Sequence, residues 1–136
     1  MRVAFPIGTR SAALDRNPLT ILLGGSTSAT ANQDNQIVTY TVPQNRRADL
    51  AVQTTLVVTT ALVAAQVGRS EILGTGNVII HEAELEPAAP IGTRADSPSI
   101  HVQLKAADVV QIRVVAGAGA GQVVCNGGIQ GVEYDA

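Results

Sequence analysis

The sequence predicts an all-β protein whose main body is an antiparallel β-sandwich, and three observations support this fold class. From Gln36 onward, segments rich in Val, Ile, Thr and Leu are separated by turn residues, and none has the i, i+3, i+4, i+7 spacing of an amphipathic helix. The pattern indicates seven or eight short strands, with turn signals at the spacing typical of a sandwich or barrel. Aromatic residues make up only 2% of the chain, so aliphatic side chains must fill the core.

Residues 1–36 are predicted to form an extended amino-terminal arm, which precedes a sandwich domain of residues 37–136. Proline and glycine interrupt the arm repeatedly, and the polar string "STSATANQDNQ" follows them. Only "LTILL", residues 19–23, has the composition of a short strand or docking segment. An arm of this kind can add a strand to a neighbouring molecule or lie in a groove on it.

Strands are predicted next at residues 37–42 and within residues 48–63. The string "IVTYTV" alternates and stops at Pro43, which lacks the amide that a β-ladder requires. The string "ADLAVQTTLVVTTALV" is rich in β-branched residues and predicts either one long strand or two strands with a bend. "GRSEIL" and "NVIIHEAEL" flank residues 74–77, "GTGN", whose glycine and asparagine residues tolerate positive φ angles. A β-hairpin is therefore predicted there.

The last strands follow a loop that contains three prolines. "SIHVQL" predicts one strand, and "DVVQIRVV" predicts another. In the second of these, Val110, Ile112 and Val114 alternate with Gln111 and Arg113, which is the clearest period-2 pattern in the chain.

A glycine-rich run at residues 116–121, "AGAGAG", raises the question of a nucleotide site. A dinucleotide-binding loop is followed by a helix whose amino-terminal amides face the phosphates, whereas "QVVCNGG" follows this run. A Walker loop requires Gly-Lys-Ser or Gly-Lys-Thr, and the only lysine is Lys105. We therefore predict that the run is a hairpin connection between the last two strands.

Charge and composition argue against several binding functions. A net charge of -2 does not provide the clustered cations that nucleic-acid backbones require. The adjacent Arg46 and Arg47 are followed by Asp49, and we interpret them as a solvated strand entry. The longest uncharged run, Leu50 to Gly68, is too polar for a membrane-spanning helix, and the amino terminus lacks an apolar core of secretory-signal length. Nucleic acid, membrane and export are therefore not predicted.

Candidate catalytic and metal-binding residues do not form a recognisable motif. His81 and His101 each lie in a predicted strand without the spacing of a metal-binding motif, so we interpret them as strand histidines. The lone Cys125 is interpreted as a small buried hydrophobic residue rather than a reactive thiol. Three alternating glutamates are interpreted as a solvated sheet face, with cation binding or acid–base chemistry as the alternative. These are Glu82, Glu84 and Glu86. Ser70, Ser97 and Ser99 do not lie in a nucleophile elbow, so no hydrolase centre is visible. No catalytic, cofactor-binding or metal-binding residue is assigned, and no cofactor is expected.

Two segments resemble the jelly-roll cement or decoration proteins of tailed-bacteriophage heads. "YTVPQNRRADLAVQTTLVVT" resembles their opening strands, in which a "TVP" strand precedes a basic turn and a long apolar strand. "SIHVQLKAADVVQIRVVAGAGAGQVVCNGGIQGVEYDA" resembles their closing strands. The resemblance covers residues 37–136, and it departs from the family pattern at Ala107, where the turn before "DVV" usually has glycine.

The resemblance implies a jelly-roll type of β-sandwich and a non-enzymatic virion structural protein. Proteins of this kind bind the outer surface of the shell formed by the phage major capsid protein, in many copies, and stabilise it against internal pressure. The resemblance also implies a homo-oligomer, either a dimer or a trimer. It implies a location on the outer capsid surface after assembly in the host cytoplasm.

Two other classes of protein remain open on this sequence. Similar β-sandwich patterns occur in receptor- or carbohydrate-binding heads of phage tail fibres and in tumour-necrosis-factor-like trimers. A tail-fibre head predicts exposed aromatic residues in its loops, and only Phe5, Tyr40 and Tyr134 are present. A small enzyme of the cupin kind predicts a metal cluster from neighbouring strands. Its candidate ligands are His81, Glu82 and His101, which lack the HxH spacing of cupins.

Overall fold

The computed structural model describes residues 16–136, and this part of the chain is an all-β sandwich of two antiparallel sheets. Its regular structure comprises nine strands and one short 3-10 turn, Thr75–Asn77, between the fourth and fifth strands. The strands are β1 (Leu19–Thr30), β2 (Asp34–Thr41), β3 (Arg46–Thr60), β4 (Gly68–Leu73), β5 (Ile79–Glu84), β6 (Arg94–Asp96), β7 (Ile100–Lys105), β8 (Val109–Ala116) and β9 (Gln122–Asp135).

The strand order is that of a jelly roll. The first sheet runs β1-β9-β3, and the short strands β6 and β7 pair with successive parts of the other edge of β3. The second sheet runs β2-β8-β4-β5. If β6 and β7 are counted as one interrupted strand, each sheet has four strands and the chain passes repeatedly between them, as in the two Greek keys of a jelly roll. The predicted fold class is therefore confirmed.

The long strand β3 is central to the first sheet because one of its faces is almost entirely apolar. Leu50, Val52, Leu56 and Val58 point toward the second sheet and are fully buried. β3 pairs with β9 over nearly its whole length, with a bulge near Val58. The sequence left one or two strands open for this region, and the structure forms a single strand.

The core is aliphatic and consists of two clusters between the sheets. A Val, Leu or Ile side chain that is fully buried contributes roughly 1.5–3 kcal/mol relative to an exposed one, so many such residues can replace the missing aromatic ones. The largest fully buried apolar side chains are Leu50, Leu56, Ile72, Ile112, Ile129, Val42, Val52, Val58, Val110, Val114 and Val123. The one buried side-chain pair of hydroxyls in the described core, Thr54 and Ser70, is satisfied by a mutual hydrogen bond of 2.8 Å.

The structure differs from the predicted arm over residues 19–36. Residues 19–30 form β1, which pairs with β9 along its full length, and β2 begins at Asp34. Small residues let this part of the pair approach the second sheet, because a Cβ atom at Gly25 would lie 3.1 Å from the Ile37 carbonyl oxygen and one at Gly127 would lie 2.8 Å from the Ile112 Cδ1 atom. The sandwich thus includes residues that proline and glycine content had assigned to the arm. Residues 1–15, the remainder of the predicted arm, lie outside the described residues.

The predicted hairpin between "GRSEIL" and "NVIIHEAEL" is confirmed. β4 and β5 pair antiparallel, and the turn between them contains Gly76 with φ +74° and Asn77 with φ 61°. Both angles lie in the left-handed region that glycine and asparagine tolerate best. Local turn chemistry was therefore sufficient to predict this element.

The predicted hairpin between the last two strands is wrong. β8 pairs with β2 and β4 in the second sheet, whereas β9 pairs with β1 and β3 in the first. The run at residues 117–121 therefore carries the chain from one sheet to the other. The outcome is decided by long-range pairing, because both strands already have two neighbours within their own sheets.

Candidate interaction surfaces

The outward face of the second sheet is covered by paired charges. Arg69 lies 2.8 Å from Glu71 and 3.5 Å from Glu82, so a cation on β4 bridges carboxylates on two strands. Arg113 on β8 similarly contacts Asp34 on β2 at 2.6 Å. Cross-strand pairs of this kind are typical of a sheet face that stays in water.

The outward face of the first sheet has a different character, because uncharged side chains cover its central part, bordered by Asp49, which lies opposite Val132. We call this region the uncharged face. It comprises Thr20 and Leu22 of β1, Gln130 and Val132 of β9, and Ala51 and Gln53 of β3. Leu22 is 76% exposed and Val132 is 40% exposed, although neither is at a strand end. Exposed apolar side chains among uncharged amides form a surface that water solvates poorly, and such surfaces often mark interaction sites.

The uncharged face follows from a local sequence signal. In β1, Ile21 points inward and is buried, so alternation forces Leu22 outward. A strand with solvent on one face would place a polar residue at that position. The run "ILL" within "LTILL" therefore indicated an apolar outer face, although the sequence alone did not show that this segment belonged to the sheet.

A second apolar surface lies at the outer edge of the second sheet. We call residues 78–84 the β5 edge. Val78 is 64% exposed, Ile79 is 52% exposed and Ile80 is 42% exposed. Within residues 16–136, β4 is the only strand that pairs with β5, so the other side of β5 has no partner there. Unpaired strand edges can pair with an additional strand.

The residues considered as metal ligands are not brought together. His81 and Glu82 lie on β5 of the second sheet, whereas His101 lies on β7 of the first. No group of three His, Cys, Asp or Glu side chains with the geometry for a metal ion occurs in the described part of the chain. The proposed cupin-like set therefore does not form in residues 16–136.

The other candidate residues have structural surroundings. Glu82 and Glu84 point outward from β5, as their alternation predicted, and Glu86 lies beyond its end. Ser70 is buried against Thr54. The Ser97 hydroxyl accepts a hydrogen bond from the Thr54 amide at 2.8 Å. Ser99 lies in the loop before β7.

Cys125 is buried between the sheets, as the sequence predicted. Burial raises the pKa of its thiol to about 12, because the apolar surroundings disfavour the thiolate. The thiol is therefore protonated near neutral pH, and it lacks the nucleophilic form that reactive cysteines require.

Arg46 was predicted to lie in solvent at the entry of a strand, but its side chain makes several contacts within the chain. Its guanidinium contacts Glu133 at 2.8 Å and Asp135 at 2.5 Å, and it donates to the carbonyl oxygen of Asn17 at 3.0 Å. Arg47, next in the chain, is exposed. The prediction missed these contacts because Glu133 and Asp135 are about ninety residues away in the sequence and no local pattern links them to Arg46.

The Arg46 cluster also fastens the two ends of the described chain to each other. The side-chain amide of Asn17 donates to the Asp135 carboxylate at 2.6 Å, and the Asp135 amide donates to the Arg16 carbonyl oxygen at 2.6 Å. The Tyr40 hydroxyl donates to Glu133, and burial together with that carboxylate raises the pKa of Tyr40 above its usual range. The cluster thus fixes the point where residues 1–15 join the sandwich.

Lowering the pH is expected to weaken this cluster through Asp135. Hydrogen bonds from Arg46 and Asn17 lower the pKa of Asp135 below its usual range. Its contribution to stability is therefore present above the unfolded-state pKa of about 4 and is lost as the pH falls through the folded-state pKa. The effect is modest, because the side chain is 42% exposed. Urea unfolding between about pH 5 and pH 2.5 should show a steeper loss for the natural chain than for Asp135→Asn. Parallel curves for the two proteins would contradict this assignment.

Comparison with known proteins gives similarity of fold only. No known family matches the chain, and no curated protein sequence matches it. The crystal structure of the infectious bursal disease virus VP2 subviral particle gives a TM-score of 0.44 with 10% identity, covering 88% of this chain and 33% of that chain. The structure of the Gx strain of that virus gives a TM-score of 0.45 with 9% identity and covers the same shares of both chains. The chain thus spans about a third of the length of these viral proteins.

A third similar structure is that of Bacillus endospore appendages, a family of disulfide-linked pili. Its TM-score is 0.38 with 12% identity, covering 87% of this chain and 88% of that chain. Similarities at this level assign no function, and the β-sandwich class rests on the two antiparallel sheets of this chain itself. Within residues 16–136, no helix has the length and apolarity to cross a membrane.

Proposed function

We propose that this chain is a non-enzymatic virion structural protein, a cement or decoration protein of a tailed-phage capsid. It binds the outer surface of the shell formed by the major capsid protein and stabilises that shell. The observation that supports this proposal most directly is the contrast between the two sheets. One outer face carries paired charges, whereas the other presents Leu22 and Val132 among uncharged side chains, with Asp49 at their border.

The uncharged face is suited to a rigid contact repeated over a large shell. Full burial of an exposed side chain of this size contributes about 1.5–3 kcal/mol, so Leu22, which is 76% exposed, gains most of this on binding and Val132, which is 40% exposed, gains less. Gln53 and Gln130 provide donors and acceptors for the partner, and both lie on strands in the interior of the sheet. Because strand residues are already ordered, binding costs little additional conformational entropy. Contacts of modest strength then add up when many copies bind one shell.

Carbohydrate or receptor binding, as in a tail-fibre head, receives less support from the described surface. Such sites rely on exposed aromatic rings. The hydroxyl of Tyr40 is bound to Glu133, and the ring of Tyr134 lies 5.9 Å below the guanidinium of Arg16. Both tyrosines are therefore engaged in contacts within the chain.

Changing the uncharged face is expected to weaken capsid binding by about 100-fold or more, which corresponds to the loss of about 3 kcal/mol. The variant is Leu22→Glu combined with Val132→Glu. The matched control is Thr39→Glu, which adds a carboxylate to an exposed position on the other sheet. The measurement is co-sedimentation with purified, undecorated phage heads over a range of protein concentrations. Because the contacting side chains are uncharged and Asp49 lies at their border, binding should depend only weakly on salt.

Equal binding by the double variant and the natural chain would exclude this face as the contact. Failure of the natural chain itself to bind heads would contradict the cement function as a whole. In the successful case, the bound protein should also raise the melting temperature of the heads, because a ligand that binds only the intact state stabilises that state.

A further inference from the structure

One edge of the first sheet is formed by β1, whose backbone groups point away from the sheet in a defined pattern. The Ser28 carbonyl oxygen accepts a hydrogen bond from the Asn35 side-chain amide at 2.8 Å, and the Thr30 amide donates to the Gln33 Oε1 atom at 3.0 Å. Even-numbered residues of β1 therefore direct their backbone groups away from β9. In the part of the chain that the structure describes, β9 is the only strand that pairs with β1. The portion of this edge before Ser28 can thus receive one more strand.

The β1 edge lacks the charges that protect the other edges of the two sheets. From Leu19 to Thr30, β1 contains no charged residue. Each of the other edge strands contains at least one, and these strands are β2, β5, β6 and β7. Charged side chains on an edge strand oppose pairing with a second molecule, because pairing would crowd them together or remove their water. Within residues 16–136, β1 is therefore the one edge without this protection.

Exposed leucines accompany the unpaired backbone groups of β1. Leu22 belongs to the uncharged face, on the outer side of the sheet. Leu23 lies opposite the buried Ile129 and therefore points to the inner side, yet it is 36% exposed. Both sides of this edge thus carry apolar surface in contact with water, and both would be stabilised by burial against another apolar strand.

A second copy of β1 matches this edge in backbone and side chains. Hydrogen-bonded positions of an antiparallel pair require outward backbone groups on both strands, so even-numbered residues must lie opposite even-numbered residues. With Leu22 opposite Leu22 of the second copy, Thr20 lies opposite Gly24, and these pairs provide about six backbone hydrogen bonds. The same register places leucine against leucine on the outer side and Ile21 against Leu23 on the inner side. Apolar side chains therefore meet on both sides, and no like charges face each other.

We propose that two copies of this chain form a homodimer by antiparallel pairing of their β1 strands, centred on Leu22. The twofold axis of such a pair is normal to the sheet, so the first sheets of the two copies become one continuous sheet. Their uncharged faces then lie side by side on the same surface of the dimer. The inference does not rest on capsid binding, and its test requires only the purified full chain.

The first arm of the test changes Leu23, which belongs to the edge but not to the uncharged face. Leu23→Lys places a cation on the inner side of the edge, where it would face the apolar Ile21 of the second copy. Ile91→Lys is the matched control, because it makes the same kind of change at an exposed residue outside the strands. Sedimentation velocity should show twice the chain mass of 14.0 kDa for the natural chain and for the control. The dissociation constant of the Leu23→Lys dimer should be at least about 100-fold higher, while the circular dichroism spectrum stays that of a folded β protein.

The second arm tests the register by disulfide cross-linking and does not depend on how well a lysine is tolerated. The Cα atoms of Leu22 in the two copies would lie about 5.5 Å apart, which is within the range of a disulfide. Leu22→Cys should therefore form a covalent dimer under mild oxidation. Leu23→Cys and Thr20→Cys are the controls, because their Cα atoms would lie about 8 Å and about 14 Å from their counterparts, too far for a disulfide. The natural Cys125 is buried and should not react.

Several results would overturn the proposal. A natural chain that stays monomeric at every concentration is one, and a Leu23→Lys chain that dimerises as tightly as the natural chain is another. Cross-linking of Leu23→Cys or Thr20→Cys in preference to Leu22→Cys would exclude the register. Slow amide exchange of Leu22 in the monomer would show that the edge is covered within one molecule, which also contradicts the dimer.

Two variants separate this dimer from the proposed capsid binding. Val132→Glu changes the uncharged face on β9, one strand away from the edge, so it should remain a dimer and lose binding to phage heads. Leu23→Lys keeps that face, so its monomer should still bind heads, although more weakly because attachment through two faces is lost. A natural monomer that binds heads would contradict only the dimer. A natural dimer that does not bind them would contradict only the proposed function.

Discussion

Replacing Gln66 by Glu is expected to destabilise the protein by about 3–5 kcal/mol near pH 7, because it leaves a buried charge without a partner. Gln66 is fully buried beneath the glycine run. Its side-chain Nε2 donates to the carbonyl oxygens of Gly117, Gly119 and Gly121 at 3.2, 3.2 and 3.1 Å. Its Oε1 accepts from the amides of Val63 and Gly121 at 3.1 and 2.9 Å. A carboxylate has no donor for the three carbonyl oxygens.

The pH dependence distinguishes this explanation from simple loss of packing. A buried carboxyl group that faces carbonyl oxygens has a folded-state pKa above its unfolded value of about 4.3. Its protonated form can donate one hydrogen bond, so the variant should be most stable below that unfolded value. Its stability should then fall as the pH rises through the folded-state pKa. Urea unfolding at several pH values measures the difference from the natural chain.

The matched control is Gln66→Met, which has similar volume and no charge. Its free energy of unfolding should fall by about 2–4 kcal/mol, because the loop carbonyl and amide groups lose their partner. This loss should not change over the pH range in which the carboxyl group of the Gln66→Glu variant titrates. A Gln66→Glu protein as stable as the natural chain at pH 7 would contradict the buried network. A loss of stability in Gln66→Glu that does not change with pH would also contradict it.

The same contacts explain why positions 119 and 121 of the alternating run are glycine. A Cβ atom at Gly121 would lie 2.6 Å from the Gln66 Oε1 atom and 2.6 Å from the Leu62 Cα atom. A Cβ atom at Gly119, where φ is +141°, would lie 2.7 Å from that same oxygen. The glycines therefore let the backbone close around an amide side chain of this protein. The pattern that resembled a phosphate loop is explained by this internal contact.

Replacing Gly131 by Ala is expected to cost about 3 kcal/mol or more, because the change combines backbone strain with overlap in a rigid interior. Gly131 lies on β9 opposite Leu50 of β3, with φ +155°. An added Cβ atom would overlap the carbonyl oxygen of Asp49 and would lie 2.9 Å from the Leu50 Cα atom. These are backbone atoms of the central strand, so rotation of a side chain cannot relieve the contact.

Gly128→Ala is the control, because it adds the same methyl group to the same strand. The nearest atom to its added Cβ would be the Leu23 carbonyl oxygen at 3.9 Å, which is ordinary contact. Its free energy of unfolding should change by less than about 1 kcal/mol. Thermal and urea unfolding should therefore separate the two variants clearly. Similar stabilities for Gly131→Ala and Gly128→Ala would contradict the described register of β9 against β3.

The elements that could be predicted from the sequence are those whose signals are local. Alternation in β8, the turn chemistry between β4 and β5 and the apolar content of β3 each indicated the observed strand. Burial of Cys125 was also predicted. The candidate surfaces were not predicted, because "LTILL" was interpreted only as a short strand or docking segment and its neighbours on β9 and β3 are distant in the chain.

The sequence alone determined that this chain forms apolar, alternating strands, because the two-residue period of a strand is a property of consecutive residues. It also determined which small residues could approach another backbone. Tertiary structure decided which strands became neighbours, and therefore that β1 belongs to the sandwich and that the glycine run crosses between sheets. It also brought Arg46 to Glu133 and placed Leu22 beside Val132 on one uncharged face. These contacts join residues distant in the chain, and the free energy that selects them comes from burying both sheets together, which no single segment encodes.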